Sequence, residues 1–252
     1  MKIGFITTVP GTIKAFMVPQ VEAIHKKHPD WEIKFISSYA ENIEEWKPEF
    51  VEFLPVTMSR GIAFGAIKSI LALKKLFKKE KFDMIVYATP NAALYSSIAG
   101  KMAGMKKRLY CQWGIRYVGF SGIKRKIFKF IEKLTCKKST HINAVSIKNR
   151  QFCIDEKLYK AEKAVVVGNG GTVGVDLSLY DMEKYDSYRT EKREQFGIKD
   201  EFVFGFVGRL GRDKGAFELF SAFKNICDAN NNVKLLCIGS TELKENDIPA
   251  EL

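Results

Sequence analysis

Seven apolar runs of four to seven residues recur along the first two thirds of the chain, each followed by a longer amphipathic or mixed segment. They are Lys2 to Thr8, Glu32 to Ser38, Phe50 to Val56, Met84 to Thr89, Arg108 to Cys111, His141 to Ser146 and Ala164 to Val167. Strands apolar along their whole length, rather than at alternate positions, are those of a parallel sheet covered on both faces, and the segments between them are long enough for crossover helices. An α/β fold built on a doubly wound parallel sheet follows from this rhythm. After Val167 come GNGGTVGVDL and a polar, charged stretch from Tyr180 to Lys199. A second β/α/β pattern then begins, with strands expected at Phe202 to Val207 and Val233 to Gly239 around a helix at Ala216 to Ala229.

This order predicts two Rossmann-like domains: residues 1–170, a linker at 171–199, and a second domain at 200–252. Two strands and one helix bury too little apolar surface to stand alone, so the second domain is expected to be incomplete. With 46% hydrophobic residues among 252, the chain as a whole can form a substantial core.

The net charge of +12 is unevenly placed: residues 1–165 carry +16 and residues 166–252 carry −4. Residues 101–138 alone hold 12 Lys or Arg side chains and one acid, Glu132. Such a patch seeks a polyanion. No helix-turn-helix, RRM or zinc-finger pattern accompanies it, so nucleic acid is not the expected partner. Within it, Ile127, Phe130, Ile131 and Leu134 follow helical spacing beside Lys124, Lys126, Lys129 and Lys133. Ile67 to Lys81 is a second basic amphipathic segment. Each either covers the sheet with its apolar face or docks on anionic lipid.

Five cysteines without CxxC or close Cys/His spacing indicate neither zinc nor a disulfide framework. His25, His28 and His141 stand apart from plausible catalytic partners and read as structural. The first 16 residues lack the apolar core of a signal peptide, and a reducing, cytoplasmic compartment is expected.

Two glycine-rich segments bear on chemistry. GNGGTVG at 168–174 does not have the GxGxxG spacing of a dinucleotide site, and it suits a tight turn between domains or one whose amides line a cleft. FVFGFVGRLGRDKG at 202–215 runs a strand into a turn carrying Arg209 and Lys214, with Gly208 allowing close backbone approach. It is not a P-loop, because Gly215 follows Lys214 where Ser or Thr is required. Two cations on such a turn suit a diphosphate, or are simply solvated.

Taken together, FVFGFVGRLGRDKGAFELFSAFKNI, GNGGTVGVDL, VKLLCIG, the N-terminal MKIGFITTVPGTIKAFMVPQVEAI and KRLYCQWGIRYVGF resemble the GT-B glycosyltransferases of family 4, or group 1, of the bacterial surface-polysaccharide type. The resemblance implies a retaining transferase that moves a sugar from a nucleotide-sugar donor to a lipid-linked or polysaccharide acceptor, with no metal and no further cofactor. It implies that Arg209 and Lys214 are catalytic and grip the donor diphosphate, with Gly11, Thr12, Gly170 and Gly208 also donor-binding. Gly114 and Arg116 match an HGxR-like segment on the acceptor side of the cleft, with Trp113 where the family often has histidine. The family's glutamate pair lies downstream of the IGS strand, and Glu242 and Glu245 are too closely spaced to match it. A non-catalytic module derived from such a transferase, binding membrane or partner, is the alternative. The basic segment at 101–138 would hold either protein on the inner face of the membrane.

Overall fold

The computed structural model describes residues 1–59 and 65–241. Glu242 and Glu245 lie outside them. The chain divides into two compact units, Met1–Val175 and Asp176–Leu252.

In the first unit, β1 (Lys2–Ile6), β2 (Glu32–Ser37), β3 (Val51–Pro55), β4 (Met84–Tyr87), β5 (Lys107–Gln112), β6 (His141–Ala144) and β7 (Ala164–Val165) form one sheet in the order β3-β2-β1-β4-β5-β6-β7. Every pairing is parallel. The chain winds outward from β1 to β3, then returns to β4 on the other side of β1. The order therefore reverses between β1 and β4, which is where doubly wound sheets open a crevice at the strands' carboxyl ends.

Two apolar layers cover the sheet. Ile3, Phe5, Ile33 and Phe35 pack with Ile13 of α1 (Pro10–Phe16), Val21 of α2 (Val18–Lys27) and Met17 between the two helices. Ile6, Ile36, Ile85 and Tyr87 point to the opposite face. There they meet α3 (Gly65–Glu80), α4 (Pro90–Met102), α5 (Gly122–Lys138) and α6 (Ile147–Asp155). The central helix α4 lies so close to the sheet that a Cβ on Gly100 would stand 2.7 Å from Ile85 Cδ1.

Helix α5 turns the expected stripe inward only in part, at the half-buried Ile131 and Leu134. Its buried positions are Glu132, Thr135 and Cys136, while Ile127 and Phe130 are 44% and 68% exposed. The reason is polar: Gln112 Nε2 on β5 donates to Glu132 Oε1 at 2.6 Å, and the Tyr110 hydroxyl donates to the same oxygen at 3.1 Å. Burial raises the Glu132 carboxyl above its ordinary value.

In the second unit, β8 (Phe202–Val207) and β9 (Val233–Ile238) pair in parallel around α8 (Ala216–Ala229). The stretch expected as linker instead holds a helix, α7 (Tyr185–Gln195), within this unit. Its polar composition hid it, since few apolar positions mark its period. Arg193 anchors its end by donating to the carbonyls of Lys199 and Glu201 at 2.6 and 2.9 Å.

Candidate functional site

The crevice of the first unit is assembled at the carboxyl ends of β1, β4 and β5. Thr8, just past β1, and Thr89, just past β4, share a hydroxyl–hydroxyl hydrogen bond of 2.8 Å. Thr8 N also donates to Thr89 Oγ1, and Ala92 N in the first turn of α4 donates to Thr8 Oγ1, both at 3.2 Å. These bonds hold Thr89 at φ 65°, a conformation that a β-branched residue rarely adopts and that costs on the order of 1–3 kcal/mol. Sequence reasoning passed over Thr89. Its signal was the Thr-Pro pair directly after an apolar strand, with Pro90 pre-set for the first turn of α4.

Beside this pair lies a cavity of about 640 Å³, lined among others by Thr12, Phe16, Thr89, Trp113, Gly114 and Arg116. Three residues proposed from sequence, Thr12, Gly114 and Arg116, thus line one cavity, with Gly11 adjoining Thr12 in α1. Phe16 and Trp113 pack against each other in its wall, with ring centroids 5.0 Å apart. Arg116 is exposed, its guanidinium lying 4.7 Å from the ring centre of Phe128. Thr172 completes the wall, its carbonyl accepting from Gln20 Nε2 at 2.9 Å.

Gly170 serves the neighbouring turn. Its φ is 90°, and a Cβ there would sit 2.5 Å from the Val145 carbonyl oxygen. That same oxygen accepts from Gly171 N at 2.7 Å. Only glycine fits so close to the loop after β6.

In the second unit, Gly208, Arg209 and Lys214 follow β8. Gly208 N donates to Ile238 O and Leu210 N to Ser240 O, each at 2.9 Å, so the strand pair continues into the turn. A Cβ on Gly239 would collide with the Gly208 carbonyl oxygen. Arg209 is engaged with Asp213 at 3.0 Å, an exposed pair of the kind worth at most about 1 kcal/mol. Lys214 is exposed at the end of a single 3₁₀ turn, Arg212–Lys214, and Gly215 at φ 74° turns the chain into α8.

Among the described residues no group of three or more His, Cys, Asp or Glu could hold a metal ion. The five cysteines are free, and burial pushes the Cys111 thiol up to about 12. No described helix is long and apolar enough to cross a membrane.

Comparison with known proteins agrees with these two units. Residues 6–146 match the family described as glycosyl transferase 4-like, and residues 188–248 match glycosyl transferases group 1. The capsular polysaccharide biosynthesis glycosyltransferase CapM of Staphylococcus aureus is 34% identical over 248 residues, 98% of this chain and 63% of CapM. An Escherichia coli UDP-Gal:alpha-D-GlcNAc-diphosphoundecaprenol alpha-1,3-galactosyltransferase is 30% identical over 71% of this chain and 45% of its own length. The chain thus spans less than two thirds of these relatives. Among solved structures, Anabaena Alr3699/HepE in complex with UDP and glucose superposes with a TM-score of 0.70 at 20% identity, over 98% of this chain and 63% of that one. The UDP-GlcNAc 2-epimerase of Methanocaldococcus jannaschii gives 0.62 at 19%, over 98% and 67%. A fold shared by transferases and epimerases does not choose between them. The family match does, since it spans more than half of the chain: this protein belongs to the group 1 glycosyltransferases with a glycosyl transferase 4-like N-terminal region.

Proposed function

We propose that the protein acts in polysaccharide or glycan biosynthesis, moving a sugar from a nucleotide-sugar to a lipid-linked or saccharide acceptor with retention of anomeric configuration. The supporting observation is the match of 98% of this chain to 63% of CapM, together with a crevice at the β1/β4 reversal that gathers Thr12, Thr89, Gly114 and Arg116. The acceptor is assigned to that crevice. The donor diphosphate is assigned to the turn after β8, where Arg209 and Lys214 would stabilise the charge that grows on the leaving nucleoside diphosphate. The bond between the anomeric carbon and the diphosphate oxygen breaks with its electron pair going to the diphosphate, the acceptor hydroxyl bonds to that carbon on the same face, and the hydroxyl proton passes to the departing diphosphate oxygen. Fixed cations placed where charge develops lower the barrier without any metal. Gly208 lets the backbone approach the phosphates, and the Gly170 turn adds shape rather than charge.

The same reading holds the protein on the cytoplasmic face of the membrane through residues 101–138. Its support is the exposure of Ile127 and Phe130 beside Lys124, Lys126 and Lys133. Those exposed apolar residues also favour a second reading, in which the chain docks on membrane or partner without turning over sugar. Sedimentation with anionic vesicles checks the docking: Phe130→Glu should reduce the bound fraction severalfold, and binding indifferent to anionic lipid would count against it. Transfer itself is tested with Lys214→Ala. The variant should lose turnover and bind nucleoside diphosphates at least tenfold more weakly, with an unchanged unfolding curve. Unchanged turnover would sink the donor assignment, and a wild-type chain that binds the vesicles but neither nucleotide nor sugar would favour the second reading.

A further inference from the structure

Two cavities of the first unit meet at the same two residues. The crevice cavity of about 640 Å³ and a second of about 180 Å³ are both lined by Pro90 and Arg116. The smaller one is apolar and lies between α4 and α5. Leu94 and Ile98, one turn apart on α4, form one wall, and Phe128, Ile131 and Leu134 of α5 form the other. The Arg116 guanidinium is steadied over Phe128 at 4.7 Å and near Phe120 at 6.0 Å, so its position is set by the apolar wall itself. The helices α3 and α5 that flank α4 also expose Ile67, Ile123 and Phe130, at 63%, 76% and 68%. The single acid of residues 101–138, Glu132, is buried against β5, so the surface of this segment presents cations alone.

We infer that the two cavities are one site for an amphiphile whose phosphate separates an apolar chain from a polar head. The chain enters between α4 and α5, the phosphate rests at Arg116, and the head occupies the crevice beside Thr12, Thr89 and Trp113. This rests on the proposed lipid-linked acceptor and specifies how such a molecule is held. The apolar volume is close to the roughly 150 Å³ of a cavity that admits benzene, enough for the first chain units after the phosphate. The remainder of the chain lies along the exposed Ile123 and Phe130 toward the bilayer. Each methylene buried in this way strengthens binding about fourfold.

Calorimetric titration of the purified chain with farnesyl diphosphate, inorganic diphosphate and farnesol tests the inference. Farnesyl diphosphate should bind at least tenfold more tightly than either part alone. Leu94→Trp fills the apolar cavity and Arg116→Gln removes the cation; each should weaken farnesyl diphosphate at least tenfold, and Leu94→Trp should leave inorganic diphosphate unchanged. Ile98→Ala, which enlarges the cavity instead of blocking it, should weaken farnesyl diphosphate only severalfold, and unfolding curves establish that each variant is folded. Equal affinity for farnesyl diphosphate and diphosphate would overturn the inference, as would indifference of folded Leu94→Trp. A chain that binds UDP but shows no preference for the farnesyl compound would leave the proposed transfer standing and remove this site. Preference for the farnesyl compound without sugar transfer would do the reverse.

Discussion

Glu80 at the end of α3 joins two lysines of the first unit, and Glu80→Gln measures what that is worth. Its carboxylate accepts from Lys2 Nζ at 2.7 Å and from Lys34 Nζ at 2.8 Å, which ties α3 to the amino ends of β1 and β2. Lys34 is almost wholly buried and also meets Glu52 at 2.5 Å and Glu32 at 3.2 Å. The two ammonium groups hold the Glu80 carboxyl down to about 2, against an ordinary 4.5. At about 1.4 kcal/mol per pH unit, that difference sets a ceiling of about 3 kcal/mol on its contribution at neutral pH. Glu32 and Glu52 still serve Lys34 in the variant, so the expected loss is about 2 kcal/mol. Because the folded carboxyl titrates below the unfolded one, this stability is fully present above pH 4.5 and disappears as pH falls toward 2. Urea unfolding followed by tryptophan fluorescence is the assay. Trp31, Trp46 and Trp113 all belong to Met1–Val175, so the signal reports that unit alone. Equal stability of the two proteins at pH 7, or a difference that stays constant down to pH 3, would refute the reasoning.

Two further substitutions probe the same unit. Glu132→Gln works with the opposite sign: burial raises that carboxyl, so wild-type stability declines as pH climbs above 4.5, and the variant should gain on the wild type between pH 4 and pH 7. A pH-independent difference would show that burial does not raise this carboxyl. Gly170→Ala forces a side chain onto the Val145 carbonyl at φ 90° and should cost about 2–4 kcal/mol, or free the turn so that the Gly171 amide exchanges rapidly. An amide still protected in a fully stable variant would mean that the turn can move aside.

Much of the fold was legible because a parallel sheet buried on both faces writes each strand as an unbroken apolar run. The runs starting at Lys2, Glu32, Met84 and His141 coincide with β1, β2, β4 and β6 to within two residues at either end. Contacts between residues far apart in sequence were less legible. The face that α5 turns inward is fixed by Gln112 and Tyr110 holding Glu132, and counting apolar positions assigns a glutamate to solvent. Helix α7 escaped for a related reason: its sequence YDSYRTEKREQ offers only two tyrosines as large apolar groups. At the crevice, Thr12, Gly114 and Arg116 were found through local motifs, whereas Thr89 enters through a hydrogen bond to a residue 81 positions away.

The contact between Gly208 and Gly239 has a practical consequence for anyone engineering this protein. With no room for a side chain at position 239, that glycine tolerates no mutational drift without prying apart the ends of β8 and β9, and Gly208 at φ 156° is held by its backbone conformation. A combinatorial library meant to retune phosphate affinity should therefore freeze both glycines and randomise Leu210, Arg212 and Asp213. Of these, Asp213 is the position to vary first, because it pairs with Arg209 at 3.0 Å and can be replaced without touching the backbone frame.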